Sequence, residues 1–229
     1  MFYFTDFDTY ILLVIPAIIF ATWASANVNS TFKKYSKVMS HSGYTANDVV
    51  RRILDANGLY DVKIEHINGN LTDHYDPKAN VIRLSDTVDG SRNAAAIGVA
   101  AHEAGHAVQH ATGYFPIKVR MAIIPVCNIG SNIALPLVIL GFLVGNYTLC
   151  TLGILAFSLA TFFQLVTLPV EFNASKRAIQ ILEGGYMSDD DLKAAKKVLT
   201  AAALTYVAAL AVSLANLLRL VIMVNRRRD

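Results

Sequence analysis

Charge is what this 229-residue chain has least of. Only 16% of its residues are Asp, Glu, Lys or Arg, where soluble domains run nearer a quarter. Glu occurs four times, Cys twice and Trp once. The hydrophobic fraction is 54% and the mean hydropathy is +0.43. A disordered tail has the opposite signature and is excluded. A net charge of +3 is too small to favour nucleic acid or another polyanion. No repeat, collagen-like period or low-complexity segment is present. The two cysteines, Cys127 and Cys150, fall in or beside apolar runs and say nothing about redox compartment. The length allows one domain, or two.

The shortage of charge is concentrated. Residues 121–170 form an uncharged run of 50. A helix needs about 20 apolar residues to cross the hydrocarbon, so the run predicts two spans. Gly145-Asn146-Tyr147 supplies the turn between them. Residues 9–32 and the Ala- and Leu-rich stretch 198–224 are long enough to be two more. Asp6 and Asp8 precede the first, where a cleaved signal would have a basic start, so a retained anchor is expected. The chain then divides into an anchor (9–32), a polar region (33–120), a two-span hairpin (121–170), a second polar segment (171–197), a last span (198–224) and a basic tail (225–229).

Two crossings separate the polar segments, so both lie on one side. They carry 11 and 5 Lys/Arg, and the positive-inside rule favours the cytoplasmic face. Arg226-Arg227-Arg228 points the other way, since a fourth full crossing puts it outside. Either the last helix stops short or the orientation is inverted, and both remain open.

Within the polar region, Thr45 and Asp48 have capping-box spacing for a helix over 46–56. Residues 62–67 alternate apolar and polar, as a half-buried strand does. Asn68-Gly69 signals a hairpin turn and Asp76-Pro77 another turn. Residues 81–84 read as a strand. Asp89 or Ser91 is expected to cap a long helix ending at Gly113. The expected fold is a mainly α-helical integral membrane protein, with about four transmembrane helices and a small α+β region containing a short antiparallel sheet.

The long helix carries His102-Glu103-Ala104-Gly105-His106. Residues four apart share a helix face, so both imidazoles can grip one Zn²⁺. Glu103 sits where a carboxylate can take a proton from zinc-activated water. A catalytic zinc site needs a third protein ligand. A His six residues past the second ligand is ruled out, because Thr112 stands there and Gln109 replaces the intervening Gly. His110 lies about 12 Å of helix rise from His102, too far to share its metal. Of Glu65, Glu171 and Glu183, Glu171 is favoured. It ends the uncharged run, and the hairpin returns it to the side of His102 and His106. An interfacial carboxylate that merely ends the span is the alternative. His41 and His66 have no partner pattern and read as surface residues. Ser188-Asp189-Asp190-Asp191 reads as a helix cap, not a calcium loop.

His-Glu-Ala-Gly-His, a two-span hairpin and then Glu171-Phe172-Asn173-Ala174-Ser175 resemble the bacterial neutral membrane zinc metallopeptidases (YugP-like). These are gluzincin relatives of the HtpX-like membrane proteases. The likeness runs from the anchor to Thr205-Tyr206. It implies a zincin-like region at 33–120, one Zn²⁺ per chain and a membrane-bound endopeptidase. HtpX-like enzymes place an Asp four residues after the ligand Glu, to orient a zinc-bound His. Ser175 holds that position here, and it accepts an imidazole N–H without adding charge. Zincins of this kind bind peptide as an added strand on the sheet edge, for which Val81, Ile82, Arg83 and Leu84 are candidates, with an ordinary internal strand as the equal alternative. His74, Tyr75, Arg177 and Tyr206 are candidate oxyanion donors by residue type. The small-residue run 94–101 gives the motif helix a slim face for close packing on the spans.

The expected partners are a protein or peptide substrate and the lipid bilayer, but not nucleic acid. A homo-oligomer or a membrane regulatory partner is left open. Two competing readings are a non-catalytic scaffold with structural zinc and a site-2-type intramembrane protease. The spans contain no Asp, which disfavours the second.

Overall fold

The computed structural model describes residues 6–226. The basic tail is therefore outside the described residues from position 227 on. Among the described residues, four stretches of helix are long and apolar enough to cross a membrane. The first begins with a single turn, α1 (Asp6–Thr9), passes through a π-helical segment (Tyr10–Val14) and continues as α2 (Ile15–Tyr35). The polar region follows as α3 (Ala46–Ala56), β1 (Lys63–Ile67), β2 (His74–Asp76), β3 (Val81–Ser85) and α4 (Ala94–Ala111). The other three long helices are α5 (Phe115–Leu143), α6 (Tyr147–Glu183) and α7 (Asp189–Arg226). The protein is thus a mainly α-helical membrane protein with a small α+β region.

The chain forms two compact units. One consists of Met1–Ser25, Val119–Pro169 and Leu204–Asp229. Here the α5–α6 hairpin packs through small residues. A Cβ added to Gly153 would lie 2.8 Å from Ala134 O, and one added to Gly130 3.0 Å from Ala156 O. Without a hydrophobic drive between helices in lipid, such close approach supplies the dispersion contact. Thr161 Oγ1 and Ser213 Oγ, 2.8 Å apart, tie α6 to α7. Gly145, with φ +65°, makes the predicted turn, and Asn146 Oδ1 accepts the N–H of Thr148 at 3.0 Å to start α6.

The second unit consists of Ala26–Lys118 and Val170–Ala203. Its core joins Val49, Val50, Ile53 and Leu54 of α3, Ile82 and Leu84 of β3, and Ile97, Ala100 and Ala104 of α4. Leu182 and Val198, from α6 and α7, complete it. The capping box of α3 forms as its spacing predicts, with Asp48 N–H on Thr45 Oγ1 at 3.1 Å and Thr45 N–H on Asp48 Oδ2 at 2.9 Å.

Three local expectations are corrected. The sheet is mixed, in the order β1-β3-β2. β2 pairs with β3 antiparallel as expected, but β1 runs parallel to β3. No hairpin forms at Asn68-Gly69. Asp86, just beyond β3, accepts the N–H of Gly69 at 2.8 Å, and its own N–H returns to Gly69 O at 3.1 Å. The chain after β1 is therefore pinned beside the end of β3 instead of folding back on β1. Third, α4 is capped by Asn93, whose Oδ1 accepts from Ala96 N–H at 2.8 Å, and not by Asp89 or Ser91. Asp89 is taken by Asn47 Nδ2 at 2.6 Å, and the Ser91 hydroxyl by Thr87 O at 3.1 Å.

Candidate metal centre

The site lies wholly within the second unit. His102 and His106 stand one turn apart on α4, and Glu171 projects from the start of the second-unit part of α6. That part was expected as a separate segment beginning at residue 171. Instead α6 continues through Pro169 without a break. The two helices touch because Gly105 lies between the histidines. A Cβ there would stand 2.8 Å from Ala174 O. Seven residues earlier on α4, Gly98 opens a similar approach to Ala195 of α7. The slim face of the motif helix thus packs on the near ends of two long helices.

The ligand-type atoms of His102, His106 and Glu171 all lie within 4.8 Å of one another. Glu171 Oε2 is 3.3 Å from His102 Nε2 and 3.4 Å from His106 Nε2. Two donors about 2.05 Å from a tetrahedral ion stand about 3.3 Å apart, so this spacing fits zinc. Two imidazoles and a carboxylate also match zinc's preference for borderline nitrogen and oxygen donors, with a fourth position left for water. Glu171 is 2% exposed, which protects the set from bulk solvent.

Glu103 is buried, and Tyr75 N–H donates to its Oε2 at 3.0 Å. Burial pushes its carboxyl above the usual range, and the nearby imidazoles pull it part of the way back. Ser175 Oγ is 3.0 Å from His102 Nδ1. In the sequence Gln109 stands out only as a departure from another motif. It is fully buried and lies 3.0 Å from His106 Nδ1. The i, i+3 spacing from His106 was the available signal for it.

The remaining candidates scatter. Val81, Ile82, Arg83 and Leu84 form the middle strand, with β1 on one edge and β2 on the other. They offer no free edge for a peptide, so of the two alternatives the ordinary internal strand holds and the substrate strand does not. The strand beside the motif helix is β2, whose Tyr75 amide points away from β3 toward Glu103. His74 is engaged on the sheet, with Nδ1 2.9 Å from Thr72 O and Nε2 3.4 Å from Arg83 Nη1. Arg177 Nε donates to Asn173 Oδ1 at 2.8 Å, and its guanidinium stands 5.9 Å from the Tyr114 ring centre. Tyr206 belongs to the part of α7 in the other unit. His110 is exposed, with its ring edge-on to Tyr75. His41 and His66 are exposed as expected, but each faces a carboxylate, Asp191 at 3.3 Å and Asp86 at 2.7 Å.

Residues 10–225 match a family model described as "Putative neutral zinc metallopeptidase". "Putative membrane protease YugP" of Bacillus subtilis (strain 168) is 51% identical over 221 residues, covering 96% of this chain and 98% of that protein. No solved structure matches the chain.

Proposed function

The chain belongs to this neutral zinc metallopeptidase family, and from that premise we propose that it is a membrane-bound zinc endopeptidase of the gluzincin type. The observation that carries the proposal is the convergence of His102, His106 and Glu171 beside a buried Glu103. One Zn²⁺ per chain fits the single such donor set among the described residues. When bound, zinc polarises the scissile carbonyl and acidifies water.

The protein's own residues do the rest. Glu103 takes a proton from the attacking water and later delivers it to the departing amine nitrogen. The Tyr75 amide holds one carboxylate oxygen, so the other is free to face the reacting water. Ser175 and Gln109 hold the two imidazoles by their Nδ1 atoms, which leaves both Nε2 atoms for the metal. The outer edge of β2 is the place for an extended substrate strand.

The substrates are membrane proteins or protein segments near the bilayer, because the third ligand sits on a helix that continues into an apolar span. The catalytic unit faces the cytoplasm by its excess of Lys and Arg. A site-2-type mechanism is disfavoured because α4 is not among the four helices apolar and long enough to cross. A scaffold with structural zinc has no use for a buried Glu103.

The test is cleavage of casein by the purified protein in detergent, for wild type, Glu103→Gln and Glu171→Ala. Glu103→Gln is expected to keep zinc and lose activity, whereas Glu171→Ala loses both. Wild-type activity in both variants would overturn the mechanism.

A further inference from the structure

Gln109 is a fully buried amide with every polar atom paired. Burying an amide costs free energy unless each group finds a partner, so its partners define what it does. Its Nε2 donates to Val170 O at 2.8 Å and to Asn173 Oδ1 at 3.0 Å. Val170 O is a backbone carbonyl and can only accept. The amide therefore has one orientation, with Nε2 toward α6 and Oε1 toward His106. Oε1 can likewise only accept, so the proton of His106 must sit on Nδ1, 3.0 Å away. In the neutral ring the lone pair is then on Nε2, which lies 3.4 Å from Glu171 Oε2. Asn173 is fixed as well, because its Oδ1 takes a second donor, Arg177 Nε, at 2.8 Å.

Ser175 differs. Its hydroxyl both donates and accepts, so its contact with His102 is compatible with either tautomer. The geometry points to Gln109 as a positioning residue that reads the α6 backbone and, from it, selects the His106 tautomer able to bind a metal. This inference rests on the metal site proposed above. It adds that the two ligand-bearing helices are linked by an amide whose polarity decides which imidazole nitrogen carries the proton.

The full chain in detergent micelles, labelled with ¹⁵N-histidine and free of metal, tests this at alkaline pH, where the ring is neutral. The ring nitrogen shifts are expected to show His106 protonated on Nδ1 in wild type. Gln109→Met, of similar length but without an acceptor, is expected to shift the proton to Nε2. It should also weaken zinc binding about 10- to 100-fold in chelator competition. Gln109→Glu keeps the acceptor toward His106 but turns a second acceptor toward Val170 O, so it is expected to restore Nδ1–H and to lose less zinc affinity than Gln109→Met. Equal loss in both variants, or an unchanged tautomer in Gln109→Met, would show a purely structural role and overturn the inference. If Gln109→Met does not fold, the wild-type spectrum decides, since His106 protonated on Nε2 overturns it. A wild type that shows this tautomer and binds zinc but cleaves no peptide sinks the proposed function and leaves the inference standing.

Discussion

Gly105→Ala is the smallest change that tests how the third ligand is delivered. The new Cβ would lie 2.8 Å from Ala174 O, which is backbone and cannot rotate away. Ordinary contact begins at 3.4 Å, so α4 and α6 must part by about 0.6 Å. Overpacking of this kind costs about 1–3 kcal/mol. Replacing Gly by Ala inside a helix returns about 1 kcal/mol, so the net loss of stability is about 0–2 kcal/mol. The metal site suffers more. Ligand distances tolerate about 0.2 Å, and a 0.6 Å displacement of α6 exceeds that threefold. It would also stretch the 3.0 Å contact between His102 and Ser175 past useful hydrogen-bond length. The expected result is at least about a tenfold loss of zinc affinity by chelator competition, with a loss of no more than about 2 kcal/mol in unfolding of the metal-free protein. Gly98→Ala is the control. Its Cβ would meet Ala195 of α7 at 2.9 Å, away from the ligands, so it should cost stability and spare zinc. Zinc binding within twofold of wild type in Gly105→Ala would refute the idea that close helix approach places Glu171.

Three further outcomes follow from the same geometry. Ser175→Asp puts a carboxylate against the His102 Nδ1–H and should tighten zinc binding about tenfold, measured by the same competition. Asn93→Ala removes the cap of α4 and should lower stability by about 1 kcal/mol in denaturant unfolding. Burial raises the Asp73 carboxyl above its usual range, against hydrogen bonds from the backbone and hydroxyl of Ser85. A raised carboxylate penalises the folded state above its folded pKa, and the penalty disappears below the unfolded value of 3.8. Asp73→Asn keeps the acceptor for the Ser85 amide, so it should unfold at a higher temperature than wild type at neutral pH and lose that advantage below the unfolded value. An equal shift at both pH values would show that titration of Asp73 is not the cause.

The parts of this protein that were legible in its sequence are those written in short-range periodicity. The histidine pair, the α3 capping box and the Gly145 turn each depend on residues within four positions of one another. Glu171 could be singled out because the chain has so few glutamates to choose from. What was not legible depends on distant partners. Asn93 caps α4 because Asp89 and Ser91 are occupied elsewhere, Asp89 by a residue 42 positions away. The parallel pairing of β1 with β3 is accompanied by Asp86 holding Gly69, a contact 17 residues apart that no turn propensity encodes. Gln109 gains its meaning from Val170 and Asn173, 61 and 64 residues further on. The boundary at residue 171 rested on the return of charge there, but α6 runs through it, Pro169 included, as helices in membranes tolerate.

The split make-up of the catalytic unit has a consequence for the order of events during synthesis. Residues 26–118 carry the two histidines and Glu103, but the unit is completed only by residues 170–203. The intervening hairpin must be translated, and leave the ribosome, before Glu171 exists to close the donor set. A nascent chain therefore passes through membrane insertion with two imidazoles and no third ligand. On the proposed function, peptidase chemistry starts only once the segment that follows the hairpin has been made, so the neighbours of a half-built molecule are not exposed to a working active centre.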